Sequence, residues 1–266
     1  MVDMATTDGG AAVLSEDRGH VRRLTLHRPA SRNALSRPVL RALSEALADA
    51  DASPGVHVVV LAGEGPAFSA GHDLKEFRDH PDPAWRAELF SECSELMVQI
   101  TRLRQPVIAE VATVATAAGC QLVATCDLAV AGGSARFATP GVDIGLFCTT
   151  PMVALSRAVA PKHAMEMLLT GEMVGASEAR RIGLVNRVVP DDQLRAATEE
   201  LADTIASKSP MTVALGKRAF QRGRDLPLIE AYRDASAVMV DNLAAEDAHE
   251  GIAAFLERRP PIWTGR

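Results

Sequence analysis

A near-continuous apolar run, Val56-His57-Val58-Val59-Val60-Leu61-Ala62, leads into the turn Gly63-Glu64-Gly65-Pro66 and then into residues 67–77, Ala-Phe-Ser-Ala-Gly-His-Asp-Leu-Lys-Glu-Phe. A strand that is apolar at successive positions must be covered on both faces, which calls for an α/β layer arrangement. The glycine turn and the Ala-Gly-X-Asp-Leu sequence after it bend the backbone so that N–H groups aim into a cavity. A second segment, Thr116-Ala117-Ala118-Gly119-Cys120-Gln121-Leu122, has the small residues that let a helix N-terminus approach the same point. Two such donors make an oxyanion hole, which stabilises negative charge growing on a carbonyl oxygen.

The rest of the chain reads as alternating strands and helices. Val21–Leu26 is a short strand. Ser36 is placed to cap a helix with Pro38 in its first turn and Leu40, Leu43 and Leu47 at helical spacing. After the Val56–Ala62 strand, Asp82-Pro83 opens a helix with the stripe Leu89, Cys93, Leu96, Ile100 and Leu103. Pro106–Ala109 is a strand, Gly119–Thr125 a helix and Leu128–Ala131 a strand, giving crossover connections of α/β type. Helical periodicity dominates after residue 150, in segments around Met165, Leu168 and Leu169, at 177–183 and at 194–207. Lys208-Ser209-Pro210 marks the boundary to two or three amphipathic helices over 211–258. The expected organisation is a tail at 1–18, a core at 19–207 and a helical region at 208–266.

Composition narrows the function classes. A net charge of −6 argues against a nucleic-acid surface. No apolar run approaches the roughly 20 residues of a membrane span, and Met1–Gly10 lacks the basic flank and apolar core of a signal peptide. Cys93, Cys120, Cys126 and Cys148 have no paired spacing, which suggests reduced thiols and a cytoplasmic setting. The seven histidines are dispersed, so no metal site is expected.

From about Val21 to Trp263 the chain resembles the enoyl-CoA hydratase/isomerase (crotonase) superfamily. The resemblance rests on His27-Arg28-Pro29 with Arg32-Asn33-Ala34-Leu35, on Phe68–Lys75, on Gln105–Ala109 and on Ala124–Ala129. Phe137-Ala138-Thr139-Pro140, Met165–Gly171 and Ile182–Pro190 continue it in the same order. It implies a spiral of ββα turns followed by a C-terminal helical trimerisation region, in trimers or hexamers built of two trimers. It also implies an acyl-CoA thioester ligand, with coenzyme A as part of the substrate and no separate cofactor, its carbonyl oxygen held by the amides of His72 and Ala118. For coenzyme A the matching positions are Arg28, Ala70, Asp73, Leu74 and Lys75. Phe255 and Arg258 would come from a neighbouring subunit, and Cys148 borders the acyl chain.

Two positions depart from the hydratase pattern. Gln121 stands where a glutamate follows the small-residue segment, and Gly141 stands where a second glutamate follows the next loop's proline. Hydration needs a base for water and an acid for the α-carbon. Gln121 can orient a water but cannot take a proton at useful pH, and Gly141 can do neither. Nominal hydration of a 2-enoyl-CoA therefore stands beside two alternatives: a decarboxylase or thioesterase-like member, and a non-catalytic acyl-CoA-binding protein. The His72 ring is either a surrogate acid/base or a wall. Asp143 rescues the Gly141 position only if the segment is extended; otherwise it is a structural aspartate. Glu110 is read as pairing a cation at a subunit contact. With no histidine near it in sequence, Cys148 reads as a buried neutral thiol.

Overall fold

The computed structural model describes residues 10–266. The chain begins with strands β1 (Val13–Arg18) and β2 (Val21–Leu26), helix α1 (Arg37–Ala52), and strands β3 (Val58–Gly63) and β4 (Ala67–Ser69). Helices α2 (Leu74–Asp79) and α3 (Pro83–Arg102), strands β5 (Val107–Val111) and β6 (Val114–Thr116), and helix α4 (Ala118–Thr125) follow. Next come β7 (Leu128–Gly132), β8 (Arg136–Ala138), a short 3-10 turn at Pro140–Ile144, α5 (Thr149–Ala158) and α6 (Pro161–Thr170). The chain closes with β9 (Val174–Gly175), α7 (Ala176–Arg181), β10 (Arg187–Val189), α8 (Leu194–Ala206), α9 (Pro210–Gly223), α10 (Leu228–Leu243) and α11 (Glu246–Glu257).

Six strands form one sheet in the order β1-β2-β3-β5-β7-β10, and four form a second in the order β4-β6-β8-β9. Apart from the β1–β2 hairpin, the large sheet is parallel. The chain advances by a repeated unit: β3, β5 and β7 enter the large sheet, while β4, β6 and β8 leave it for the small one, each pair followed by helix. This is the spiral of ββα turns that the sequence implied. Both faces of the large sheet are covered, as the apolar β3 run required. Val21, Val58, Val60, Ile108 and Val130 meet Leu194 and Ala202 of α8. Leu24, Val59, Leu61, Val107 and Ala109 join the larger core with Leu40, Leu43 and Leu47 of α1 and Leu89, Leu96 and Ile100 of α3. At roughly 25 cal/mol per Å² of apolar surface removed from water, these faces supply the main drive for folding.

Two expectations are corrected. The tail does not run to residue 18, because Val13–Arg18 pairs in full register with Val21–Leu26 of β2, Val13 against Leu26 and Arg18 against Val21; residues 1–9 lie outside the described range. Glu110 has a partner within its own chain, Arg23, reached across Val60 of β3, and both side chains are nearly buried. Across the 208 boundary, between α8 and α9, the helical region is stapled to the core. Lys217 Nζ lies 2.7 Å from Asp127 and donates to the Ile100 and Gln105 carbonyls at 2.9 Å. Trp263 Nε1 donates to the Ser207 carbonyl at 2.8 Å.

Candidate active site

Segment 70–72 and the start of α4 meet. A Cβ built on Gly71 would lie 2.8 Å from the Ala117 Cβ and 3.1 Å from the Ala118 nitrogen. With φ of +88°, this position also favours a residue without a side chain. Ala117 itself adopts φ 50°, ψ −119°, a conformation glycine tolerates and alanine does not, at a cost of order 1–3 kcal/mol. That kink turns the chain out of β6 and into α4, leaving the Ala118 amide at the first position of the helix, where no intrahelical acceptor exists. Among the described residues, neither the His72 nor the Ala118 N–H donates to a protein acceptor.

Asn33 holds this arrangement in place. It sits in a left-handed conformation, fully buried, in the loop before α1. Its Nδ2 donates to the carbonyls of Glu64 (2.9 Å) and Ala67 (2.7 Å), and its Oδ1 accepts from Arg28 N at 2.7 Å. Around it, Ala70 N donates to Arg32 O at 3.0 Å, Leu35 N to Gly71 O at 2.7 Å, and Ser69 Oγ to Asn33 O at 2.8 Å. The sequence reading used Asn33 only as part of a motif. Its tolerance of left-handed backbone and its three-way amide were the available signal.

The His72 ring is flanked by Phe77 of α2 and Phe90 of α3, at centroid distances of 5.8 and 5.4 Å. Nδ1 lies 3.2 Å from the Leu35 carbonyl. A carbonyl only accepts, so Nδ1 carries the hydrogen and Nε2 keeps the lone pair; Nε2 is buried and has no partner among the described residues. Burial pushes the ring's pKa down, against the Leu35 bond, which pulls it up. His72 is therefore a neutral imidazole whose buried Nε2 keeps its lone pair.

Gln121 lies one turn beyond Ala118. It is 4% exposed, and its Oε1 is buried without a partner among the described residues. Across from it, Ala117 N donates to Ala138 O at 2.9 Å, which seats the 138–141 segment against the start of α4. Gly141 is closely packed: a Cβ there would fall 2.5 Å from the Leu146 carbonyl and 2.9 Å from Cys148 Sγ. No side chain fits at 141 unless the 146–148 loop moves, so a glutamate is excluded sterically as well as by sequence. Asp143 is in the 3-10 turn and exposed, so the extended geometry that would bring it onto the Gly141 face is absent. Burial raises the pKa of the Cys148 thiol, with the Gly141 N–H opposing, and pushes Cys120 up to about 12.

The remaining positions have other engagements. Asp73 caps α2, accepting from Lys75 N at 2.9 Å, while Leu74 and Lys75 are exposed on its first turn. Arg28 donates to the carbonyls of Gly10 (2.8 Å) and His27 (3.2 Å). Phe255 is 83% exposed on α11, and Arg258 ends that helix in a left-handed conformation. Among the described residues no cluster of His, Cys, Asp and Glu could hold a metal ion, and no helix is long and apolar enough to cross a membrane.

Residues 16–266 match the family model described as enoyl-CoA hydratase/isomerase. The mouse (Mus musculus) protein named enoyl-CoA hydratase domain-containing protein 3, mitochondrial, is 49% identical over 92% of this chain and 81% of its own length. Among solved structures, an enoyl-CoA hydratase of Mycobacterium smegmatis superposes with a TM-score of 0.93 at 49% identity, covering 95% of this chain and 98% of that one. The human enoyl-CoA hydratase domain-containing protein 3 gives 0.93 at 46% identity, over 95% and 100%.

Proposed function

The chain belongs to the enoyl-CoA hydratase/isomerase family, and from that premise we propose that it binds an acyl-CoA thioester and stabilises the thioester enolate between the His72 and Ala118 amides, nominally for hydration of a 2-enoyl-CoA. The observation that carries this reading is the meeting of the Gly71–His72 loop with the strained start of α4, which presents two unengaged N–H groups at one point. Donors fixed in advance stabilise growing charge without reorganising, and loss of one such donor typically costs about 100- to 1,000-fold in rate.

In hydration, hydroxide character must reach the β-carbon and a proton the α-carbon. Gln121 can hold the water through its free Oε1, and His72 Nε2, buried and without a partner among the described residues, is the nitrogen assigned to move a proton. A second reading, decarboxylation of a malonyl-type thioester, is favoured by the close packing at Gly141. There the electron pair of the breaking C–CO₂ bond becomes the enolate, so no base is needed and only reprotonation remains.

Crotonyl-CoA hydration, malonyl-type decarboxylation and calorimetric binding of butyryl-CoA, measured together, test the assignment. The expected result is binding with turnover, slowed at least tenfold by His72→Asn if Nε2 moves the proton. Binding with no turnover of either substrate would instead assign the chain to non-catalytic acyl-CoA binding.

A homotrimer or a hexamer of two trimers is the assembly proposed. Leu228, Ile229, Tyr232 and Val240 of α10 and Phe255 of α11 support it, being large, apolar and exposed. A reducing compartment, cytoplasmic on sequence grounds, fits the four free thiols.

A further inference from the structure

We propose that the acyl group taken by this site ends in an anionic group, a distal carboxylate, held in the arginine-rimmed cavity behind Gln121; this inference rests on the acyl-CoA reading above. The cavity has a volume of about 840 Å³ and lies between the C-terminal half of α3, the body of α4, α5 and the end of α9. That size falls within the roughly 300–1,000 Å³ of small-molecule pockets. Gln121, one turn along α4 from the Ala118 amide, lines this cavity, so an acyl chain that passes Gln121 enters it. Met97, Val123, Ala124 and Leu184 give it apolar walls suited to methylenes.

An ordinary aliphatic tail does not explain the rim. Five exposed arginines line it: Arg102 of α3, Arg157 of α5, Arg218 and Arg222 of α9, and Arg224 just past the end of α9. Arg222 is neutralised by Asp234 at 2.7 Å. Among the described residues the other four have no carboxylate partner. Arg157 donates to the Val153 carbonyl, Arg224 donates to the Arg157 carbonyl, and among the described residues the side chains of Arg102 and Arg218 make no hydrogen bond. Two carboxylates also line the cavity. Asp127 is already paired with Lys217, which leaves only Asp225 to offset the four arginines. A favourable helix-end position accounts for Arg102 and Arg157 singly. It does not account for Arg218, in the body of α9, reaching the same opening. In a chain of net charge −6, this local excess of positive charge is complementary to a carboxylate, which guanidinium groups bind through paired charge-assisted bonds.

The test is calorimetric binding of butyryl-CoA, octanoyl-CoA and octanedioyl-CoA to the full chain and to an Arg102→Gln/Arg218→Gln variant, with the assembly mass of both followed by light scattering. Octanedioyl-CoA is expected to bind about tenfold or more tightly than octanoyl-CoA, and that ratio to fall to about twofold or less in the variant. Equal or weaker binding of octanedioyl-CoA overturns the inference, as does a preference that survives the double substitution. A variant that changes assembly mass also overturns it, because the arginines are then subunit contacts. If butyryl-CoA binds and the carboxylate adds nothing, only this inference falls; if butyryl-CoA fails to bind, the acyl-CoA reading falls with it.

Discussion

The ground around the start of α4 and the helices α10–α11 are built on opposite plans. Near α4, backbone groups are tied to one another and to Asn33 within the chain, an alanine is held in a costly conformation, and the polar atoms left over are buried. Along α10 no residue is buried, and large apolar side chains face outward. The first region is complete in one chain and holds strain, which persists only where the surroundings over-determine it. The second has an apolar face that a single chain does not cover. Chemistry that needs fixed amides belongs in the first; what the second lacks is a partner surface.

The largest expected effect comes from cutting the link between the two. Lys217→Met removes the cation paired with Asp127 and two hydrogen bonds, one to the Ile100 carbonyl near the end of α3 and one to the Gln105 carbonyl before β5. Removing one partner of a buried pair costs about 3–5 kcal/mol, because the other charge is left uncompensated. Burial already raises the Asp127 pKa against the pull of Lys217, so Asp127→Asn in the Lys217→Met background should recover part of the loss. Urea unfolding followed by fluorescence reads this, with Trp85, partly buried against the core, and Trp263 in the C-terminal segment as separate reporters. If only the Trp263 signal shifts, α9–α11 undock on their own; a common shift means the link is part of one cooperative unit.

Asn33→Ala should rank next, at about 2–3 kcal/mol, since it removes at once the bonds to the buried Ala67 carbonyl, the part-buried Glu64 carbonyl and the part-buried Arg28 N–H. It acts on the cradle alone, so acyl-CoA affinity should fall beside the unfolding free energy. Unchanged affinity would show that the 67–72 segment keeps its place without the amide and that the cradle is less over-determined than α4's surroundings imply.

Most of the spiral was legible because its long elements carry strong periods. The α3 stripe Leu89, Cys93, Leu96, Ile100 and Leu103 is buried throughout, and Asp82 caps that helix through Ala84 and Trp85 N–H groups. The elements that escaped are short: β4, β6 and β8 have three residues each, too few to show a period. β1 was hidden because its solvent-facing edge is written Leu-Ser-Glu-Asp-Arg, polar on both faces. Of the site, the small residues at 116–119 and Gly71 spoke for close backbone approach. The bonds from Asn33 to the Glu64 and Ala67 carbonyls and the Arg23–Glu110 pair were not readable, because those partners are 31 to 87 residues apart and meet only in the folded chain. The steric closure at Gly141 depends on where a loop five to seven residues later folds back, which no local pattern states.

Ala117→Gly sharpens the contrast by separating strain from stability. Relief of the φ 50°, ψ −119° conformation should outweigh glycine's greater unfolded-state entropy and stabilise the chain by about 1 kcal/mol. Thermal unfolding measures the gain, and the hydration or decarboxylation rate measures the loss if the kink is what aims the Ala118 amide. A variant that is less stable than the parent would mean that the Ala117 methyl contributes more packing than its backbone costs.

The smallest effect is a pH slope, and it asks whether the cradle is dry. Burial depresses the folded-state pKa of His72, so the folded ring stays neutral where an unfolded histidine, titrating near about 6.5, takes up a proton. The unfolded state then binds more protons, and stability falls as the pH drops. This contribution is fully present above about 6.5 and is lost as the pH falls through the depressed folded value. His72→Asn keeps a donor for the Leu35 carbonyl and cannot titrate, so its unfolding free energy should decline less between pH 7.5 and 5.5 than the parent's. The difference is a fraction of one proton, hence below about 1.4 kcal/mol per pH unit. Burial lowers His57 as well, and because that residue is unchanged in the variant, its share cancels in the comparison. Parallel slopes in parent and variant would mean that water reaches Nε2 in the folded state; the two regions would then differ in rigidity but not in solvent access, and the amides at His72 and Ala118 would act in a wet site where each is worth less.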